Sequence, residues 1–302
     1  MITVPTVLVL GAGASSHLDY PLGQALINQL SNLRDHEPSM TDLGDRFGRQ
    51  EVLNFLTRLS RSGHYSIDAF LASTAPQELQ LGKYLIAFML KRCEVTNRMF
   101  PPHASGWYQY LFNSLLDRGR VRFAANTLSI VTFNYDRSLE AYLSTVLHNR
   151  FGIAPDEAAE IIATIPIIHV HGQLGGFPEV PYATIADHDR LLAISRRIHI
   201  LHELNSDNGT FANSMFQDAS ERLAAAERVY FLGMGWHEEN IARLRFFGHV
   251  DTSKKDIHGT TLGMHGIATT SLRERLTSLG APGVKLQPYD CNTFFAQCAS
   301  LT

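Results

Sequence analysis

The first apolar run of the chain, "VLVL" at 7–10, continues without a polar break until Gly11 stops it. Unbroken Val and Leu suit a strand of a parallel sheet that is covered on both faces, so a strand is predicted at 6–10. The period then changes. Apolar residues fall at 22, 25, 26, 30 and 33, which is one stripe of a helix. The same spacing recurs at 50–60, 66–73, 76–93 and 105–117 between Ser-Gly, Ala-Pro and Pro-Pro breaks, and the stretch 36–120 therefore reads as a helical insertion after the first strand. Strand-like runs return at 128–133, 165–170, 228–235, 260–264 and 283–289. They alternate with helix-like stretches at 155–163, 185–196, 214–227, 237–246 and 269–279. Such alternation predicts an α/β fold with a parallel sheet covered by helices on both faces. With no internal repeat, low-complexity tract or long linker, one domain over 1–302 is expected.

Composition narrows the partners more than the fold. With 45% hydrophobic residues in 302, the chain has ample material for a core, which excludes a disordered protein. A net charge of −3 and the lack of a dense Lys/Arg block give no footprint for nucleic acid. The cysteines, Cys93, Cys291 and Cys298, are odd in number and form no Cys-x-x-Cys pair, so neither a disulfide framework nor a zinc ribbon is expected. No basic residue precedes the first apolar run, and the longest later one, "LIAFML" at 85–90, is too short for a bilayer. A cytoplasmic protein with no membrane partner is the expectation.

Candidate chemistry gathers at the predicted strand ends. In "GAGAS" at 11–15 the glycines permit a sharp turn and close backbone approach to a diphosphate at the following helix, the beginning of a Rossmann-like unit. The alternative is a purely structural turn, and position 16 is Ser where a dinucleotide-binding dehydrogenase carries Gly or Ala. "TFNYD" at 132–136 places Asn134 where its amide can hold a sugar hydroxyl or a water, while Asp136 can cap a helix starting near Arg137. "HVHG" at 169–172 ends the next strand, where period-two geometry puts His169 and His171 on the same face and Gly172 lets the chain turn directly after His171. His171 at that edge is a candidate general base, because an imidazole titrates near neutrality. "FLGMGWHEEN" at 231–240 repeats the strand, glycine turn and helix, with Gly233 and Gly235 as a second ligand-bordering turn and Trp236 either covering a ring or packing.

In this order the four motifs, with "SIDAFL" at 66–71, resemble the sirtuin superfamily, and more closely the sirtuin-like NAD hydrolases of bacterial antiphage defence. The resemblance implies that Gly11, Ala12, Gly13, Ala14 and Ser15 wrap the diphosphate of NAD, the substrate, and that Asn134 orders the nicotinamide ribose or a water. It makes His171 the catalytic base, sets Asp136 near the nicotinamide pocket and places Gly233 and Gly235 near the adenine ribose. Departures from the deacylating sirtuins are also legible. "LDYPLGQAL" at 18–26 keeps Pro21 but lacks their Phe-Arg pair, and their zinc module, with its two Cys-x-x-Cys pairs, is missing, so no metal is expected.

The expected function is NAD glycohydrolysis to nicotinamide and ADP-ribose, under control by self-association into a homo-oligomer or by a separate regulatory protein. The alternatives are a non-catalytic NAD or ADP-ribose sensor, which would need no base at 171, a deacylase, and a metal-dependent hydrolase built on "HVH" at 169–171 with "DHD" at 187–189.

Overall fold

A computed structural model of the chain describes residues 1–33, 38–101, 106–184, 186–200 and 210–302. The first residues of the expected insertion, 36 and 37, and the expected helix starts at 105 and 185 lie outside the described residues. In chain order the strands are β1 (Thr6–Leu10), β2 (Leu116–Asp117), β3 (Arg120–Val121), β4 (Leu128–Thr132), β5 (Ile167–His169), β6 (Arg228–Leu232), β7 (Asp256–Thr260) and β8 (Lys285–Gln287). β2 and β3 form a small antiparallel pair, and the other six make one sheet in the order β5-β4-β1-β6-β7-β8. Every pairing in that sheet is parallel. The chain starts in the middle, builds to one side and then crosses to the other, which is the Rossmann-like, doubly wound order with its switch point between β1 and β6. Leu10 lies opposite both Thr132 and Leu232, so three strands end level with one another there.

The helices are α1 (Gly23–Ser31), before the inserted region, and α2 (Pro38–Phe47), α3 (Arg49–Arg61), α4 (Ile67–Leu71), α5 (Pro76–Cys93) and α6 (Trp107–Leu115) within it. After it come α7 (Ser138–Phe151), α8 (Pro155–Ala163), α9 (His188–Ser195), α10 (Thr210–Ala225), α11 (Glu238–Arg243), α12 (Ile267–Ser278) and α13 (Cys291–Gln297). Leu8 and Leu10 of β1 belong to one buried cluster with Phe55, Tyr84 and Trp107 of the insertion. Val7 and Val9 belong to the other, with Leu223 of α10 and Leu272 of α12. Alternate residues of β1 thus enter two cores, and this is why the strand has no polar position after Thr6.

One predicted strand is displaced, and some observed elements have no counterpart in the spacing. The strand expected at 260–264 lies at β7, Asp256–Thr260, and "TTLGM" begins where it ends. Its sequence, "DIHGT", carries one large aliphatic residue, because Gly259 must leave room for the Trp236 indole: a Cβ there would lie 2.2 Å from that ring. Helices α2 and α13 have no counterpart in the spacing, nor has the pair β2–β3, which lies in a stretch expected to be helical. Trp236 itself, 2% exposed, packs in the second core and donates from Nε1 to the Thr260 carbonyl, 2.9 Å away, so the possibility that it covers a ligand ring is not met.

Between β1 and β6 the two glycine turns touch backbone to backbone. Gly11 N–H donates to the Leu232 carbonyl and Gly13 N–H to the Gly233 carbonyl, both at 2.9 Å. A Cβ on Gly233, whose φ is +63°, would stand 2.1 Å from Ala14 N. Gly263, with φ +81°, has nothing within 4 Å of the same position. Both alanine variants bear left-handed strain, but only Gly233→Ala also forces the turns apart. Urea unfolding is expected to show a loss of more than ~3 kcal/mol for Gly233→Ala and ~1 kcal/mol for Gly263→Ala. Equal losses would mean that the close approach does not constrain the fold.

Candidate active site

A cavity of about 420 Å³ opens at the C-terminal edge of the sheet, over the switch point, with the inserted helices as its other wall. The turn after β1 supplies Gly11, Ala12 and Gly13, and the turn after β6 supplies Gly233 and Gly235. The ends of β4 and β5 bring Asn134, Asp136 and His171 to the same space. Ala14 and Ser15, also expected to wrap a diphosphate, do not line it. They are 1% and 2% exposed beneath it, where the Ala14 carbonyl accepts from Trp107 Nε1 and Ser15 Oγ donates to Asp136. The amides of Gly11, Gly13, Ala14 and Ser15 all donate within or between the two turns. Of the five predicted residues, Ala12 alone lines the cavity with an amide not used in these turn bonds, while its carbonyl accepts from Ser15 N–H. The first turn of α1 also faces the cavity through Leu22, Gly23 and Leu26, adding the positive end of a helix.

Asn134 is fixed from two directions. Its Nδ2 donates to the Gly11 carbonyl at 3.0 Å and to Ser15 Oγ at 3.2 Å, which ties the end of β4 to the first turn. Its own carbonyl accepts from His169 Nδ1 at 3.0 Å, while His169 Nε2 donates to Glu140 at 2.8 Å. Burial opposes a charged His169, but Glu140 and the Asn134 carbonyl outweigh it and raise the pKa above the ordinary value. Asp136 is buried and accepts from Ser15 Oγ, Ser138 Oγ and Ser138 N, so it both supports the turn and caps the start of α7. Burial raises its pKa, against the pull of those donors.

His169 and His171 do not share a face, contrary to the period-two expectation. The strand ends at His169, and Gly172, at φ +76°, turns the chain away with no room for a side chain beside the Arg197 carbonyl. His169 meets Glu140 of α7, whereas His171 lies between the rings of Phe133 and Phe216, each 5.6 Å away by centroid. Burial and the nearby Arg243 guanidinium hold the His171 pKa down at about 4, with the Asn240 side chain acting the other way. His171 is 7% exposed, and its Nδ1 has no partner among the described residues.

Several lining residues escaped the sequence reading. Tyr135 donates to Asp68 of α4 at 2.5 Å, and both line the cavity. Tyr65 and His237 stack at 4.3 Å and 17°, joining the insertion to the turn after β6 across the cavity. Tyr135 and Asp68 sat inside quoted motifs, but their pairing needs two distant elements to meet. Among the described residues no three metal-ligating side chains gather, and the proposed set is scattered: Asp187 caps α9, and His188 meets Tyr84 and Asp42. No described helix is long and apolar enough to cross a membrane. No protein-family model matches the chain, and no curated protein matches it either.

The His171 environment predicts a pH effect on stability. The folded imidazole titrates near 4, below the ordinary 6.5, so between those values the unfolded chain takes up a proton that the folded one refuses. Its contribution is fully present above pH 6.5 and is lost as pH falls toward 4. Wild type should lose on the order of 3 kcal/mol more than His171→Leu across that window. Parallel curves of unfolding free energy against pH would refute the assigned environment.

Proposed function

We propose that this protein hydrolyses NAD at the bond between nicotinamide and ribose. The observation that carries the reading is the meeting of Asn134, His171 and the turn at 11–13 in one cavity at the switch point, the edge where open α/β sheets bind their ligands. A diphosphate would lie along Ala12 and the first turn of α1. Asn134 Nδ2 is engaged by the turn, which leaves Oδ1 to accept from a ribose hydroxyl or a water. The reacting carbon passes through an oxocarbenium-like state, and the departing pyridine is already cationic, so no general acid is required. His171, neutral throughout the physiological range, takes the proton from water or a ribose hydroxyl. The motif resemblance supports NAD depletion during antiphage defence, in the cytoplasm, as the setting of this activity. Unrestrained turnover would harm the host cell, so control by self-association or by a separate protein belongs to the proposal.

A second reading, a sensor that binds NAD or ADP-ribose without turnover, has one observation in its favour. A base with a pKa near 4 accepts protons weakly in the free protein. Nicotinamide release from NAD, followed over a range of protein concentrations with and without a chelator, separates the two. Release that His171→Ala and Asn134→Ala each cut by about 100-fold or more, unaffected by chelator, is the expected result. Equal release by the variants would refute the site, and binding without release at every protein concentration would favour the sensor.

A further inference from the structure

Among the described residues the cavity wall carries four carboxyls, Asp68, Asp136, Glu239 and Asp290, and no Lys or Arg. Three of them have visible work in the fold. Asp136 accepts from two serines, Asp290 accepts from Thr293 N at the start of α13, and Glu239 stands in the first turn of α11. Asp68 is different. It is half-buried with part of its surface open to the cavity, and among the described residues the Tyr135 hydroxyl and its own amide act on it against the cost of burial. A carboxyl in such a place lacks the compensating positive charge that buried acids ordinarily find. Tyr135 also fixes where that charge would lie, since its ring is 6.4 Å from the His171 ring by centroid. His171 lies at the same end, and its Nδ1 has no partner among the described residues.

We propose that Asp68, held by Tyr135, is the counter-charge for a cationic ring of the ligand at the His171 end of the cavity. The inference rests on the NAD reading for the ligand's identity, and it names a specificity residue supplied by the insertion rather than by the sheet. Asp68 selects the oxidised, positively charged nicotinamide over the neutral dihydro form. Burial favours the pairing, because attraction between opposite charges is stronger there than in water.

The test is calorimetric titration of the full chain with carba-NAD, which keeps the cationic ring but cannot be hydrolysed, with its reduced neutral form, and with the 1-methylnicotinamide cation. Wild type should bind carba-NAD about 10-fold more tightly than the reduced form. Asp68→Asn keeps the acceptor for Tyr135 and should weaken both cations about 10-fold while changing the reduced form less than about 2-fold. Asp68→Glu should retain the preference. Equal weakening of the oxidised and reduced dinucleotides would reduce Asp68 to a packing role, and no preference in wild type would overturn the proposal without any variant. If neither dinucleotide binds but 1-methylnicotinamide does, in an Asp68-dependent way, the NAD reading fails and the cation site stands. If none of the three binds, both fail.

Discussion

The ligand-facing edge depends on the backbone contact between the turn after β1 and the turn after β6. Two amide-to-carbonyl bonds at 2.9 Å join the turns where the sheet reverses its winding. Neither Gly11, Gly13 nor Gly233 has space for a Cβ against the other turn. Glycine in the first motif is thereby explained by the protein's own second turn, before any ligand is considered. The approach also sets the width of the crevice, because it draws the ends of β1 and β6 to one fixed separation.

Four consecutive residues after β4 extend that constraint outward. Asn134 bonds the first glycine turn, Tyr135 bonds Asp68 of α4, Asp136 bonds Ser15 and the start of α7, and Arg137 bonds Glu94 at the end of α5. Glu94 also receives Lys91 Nζ and the Ala183 amide, and the carboxylate and both cations are buried. Such a buried network contributes little net stability against an apolar replacement, but removal of one partner strands a charge, so it fixes how the insertion seats on the sheet. The cavity has two walls of different origin for this reason. One carries His171 and Asn134, and the other brings Asp68.

Electrostatics divides the two histidines of one tetrapeptide. His169, between two acceptors, has its pKa raised by Glu140 and the Asn134 carbonyl against burial and supports the Asn134 backbone; His171, among aromatic rings, is held neutral. The residue types are identical and two positions apart. Their different roles come from the end of β5 between them, which sends one toward α7 and the other toward α10.

The strands β1, β4, β5 and β6 and most helices were legible in the sequence, because burial on two faces or one writes itself as an unbroken or a 3.6-residue apolar pattern. So was the set of strand ends, Gly11, Asn134, His171 and Gly233, since turn glycines and polar residues after apolar runs mark them. β7 was misplaced because Gly259 yields its side chain to Trp236, a contact from another element that leaves no local trace. Ala14 and Ser15 look the same in sequence as Ala12 and Gly13, and only the fold of the turn puts them underneath. Asp68 stood in a helical motif with nothing to tie it to Tyr135, 67 residues away. Periodicity reports what each segment buries. It holds no information about which segments meet, and pairings such as Asp68 with Tyr135 or Gly13 with Gly233 exist only once the chain has closed on itself.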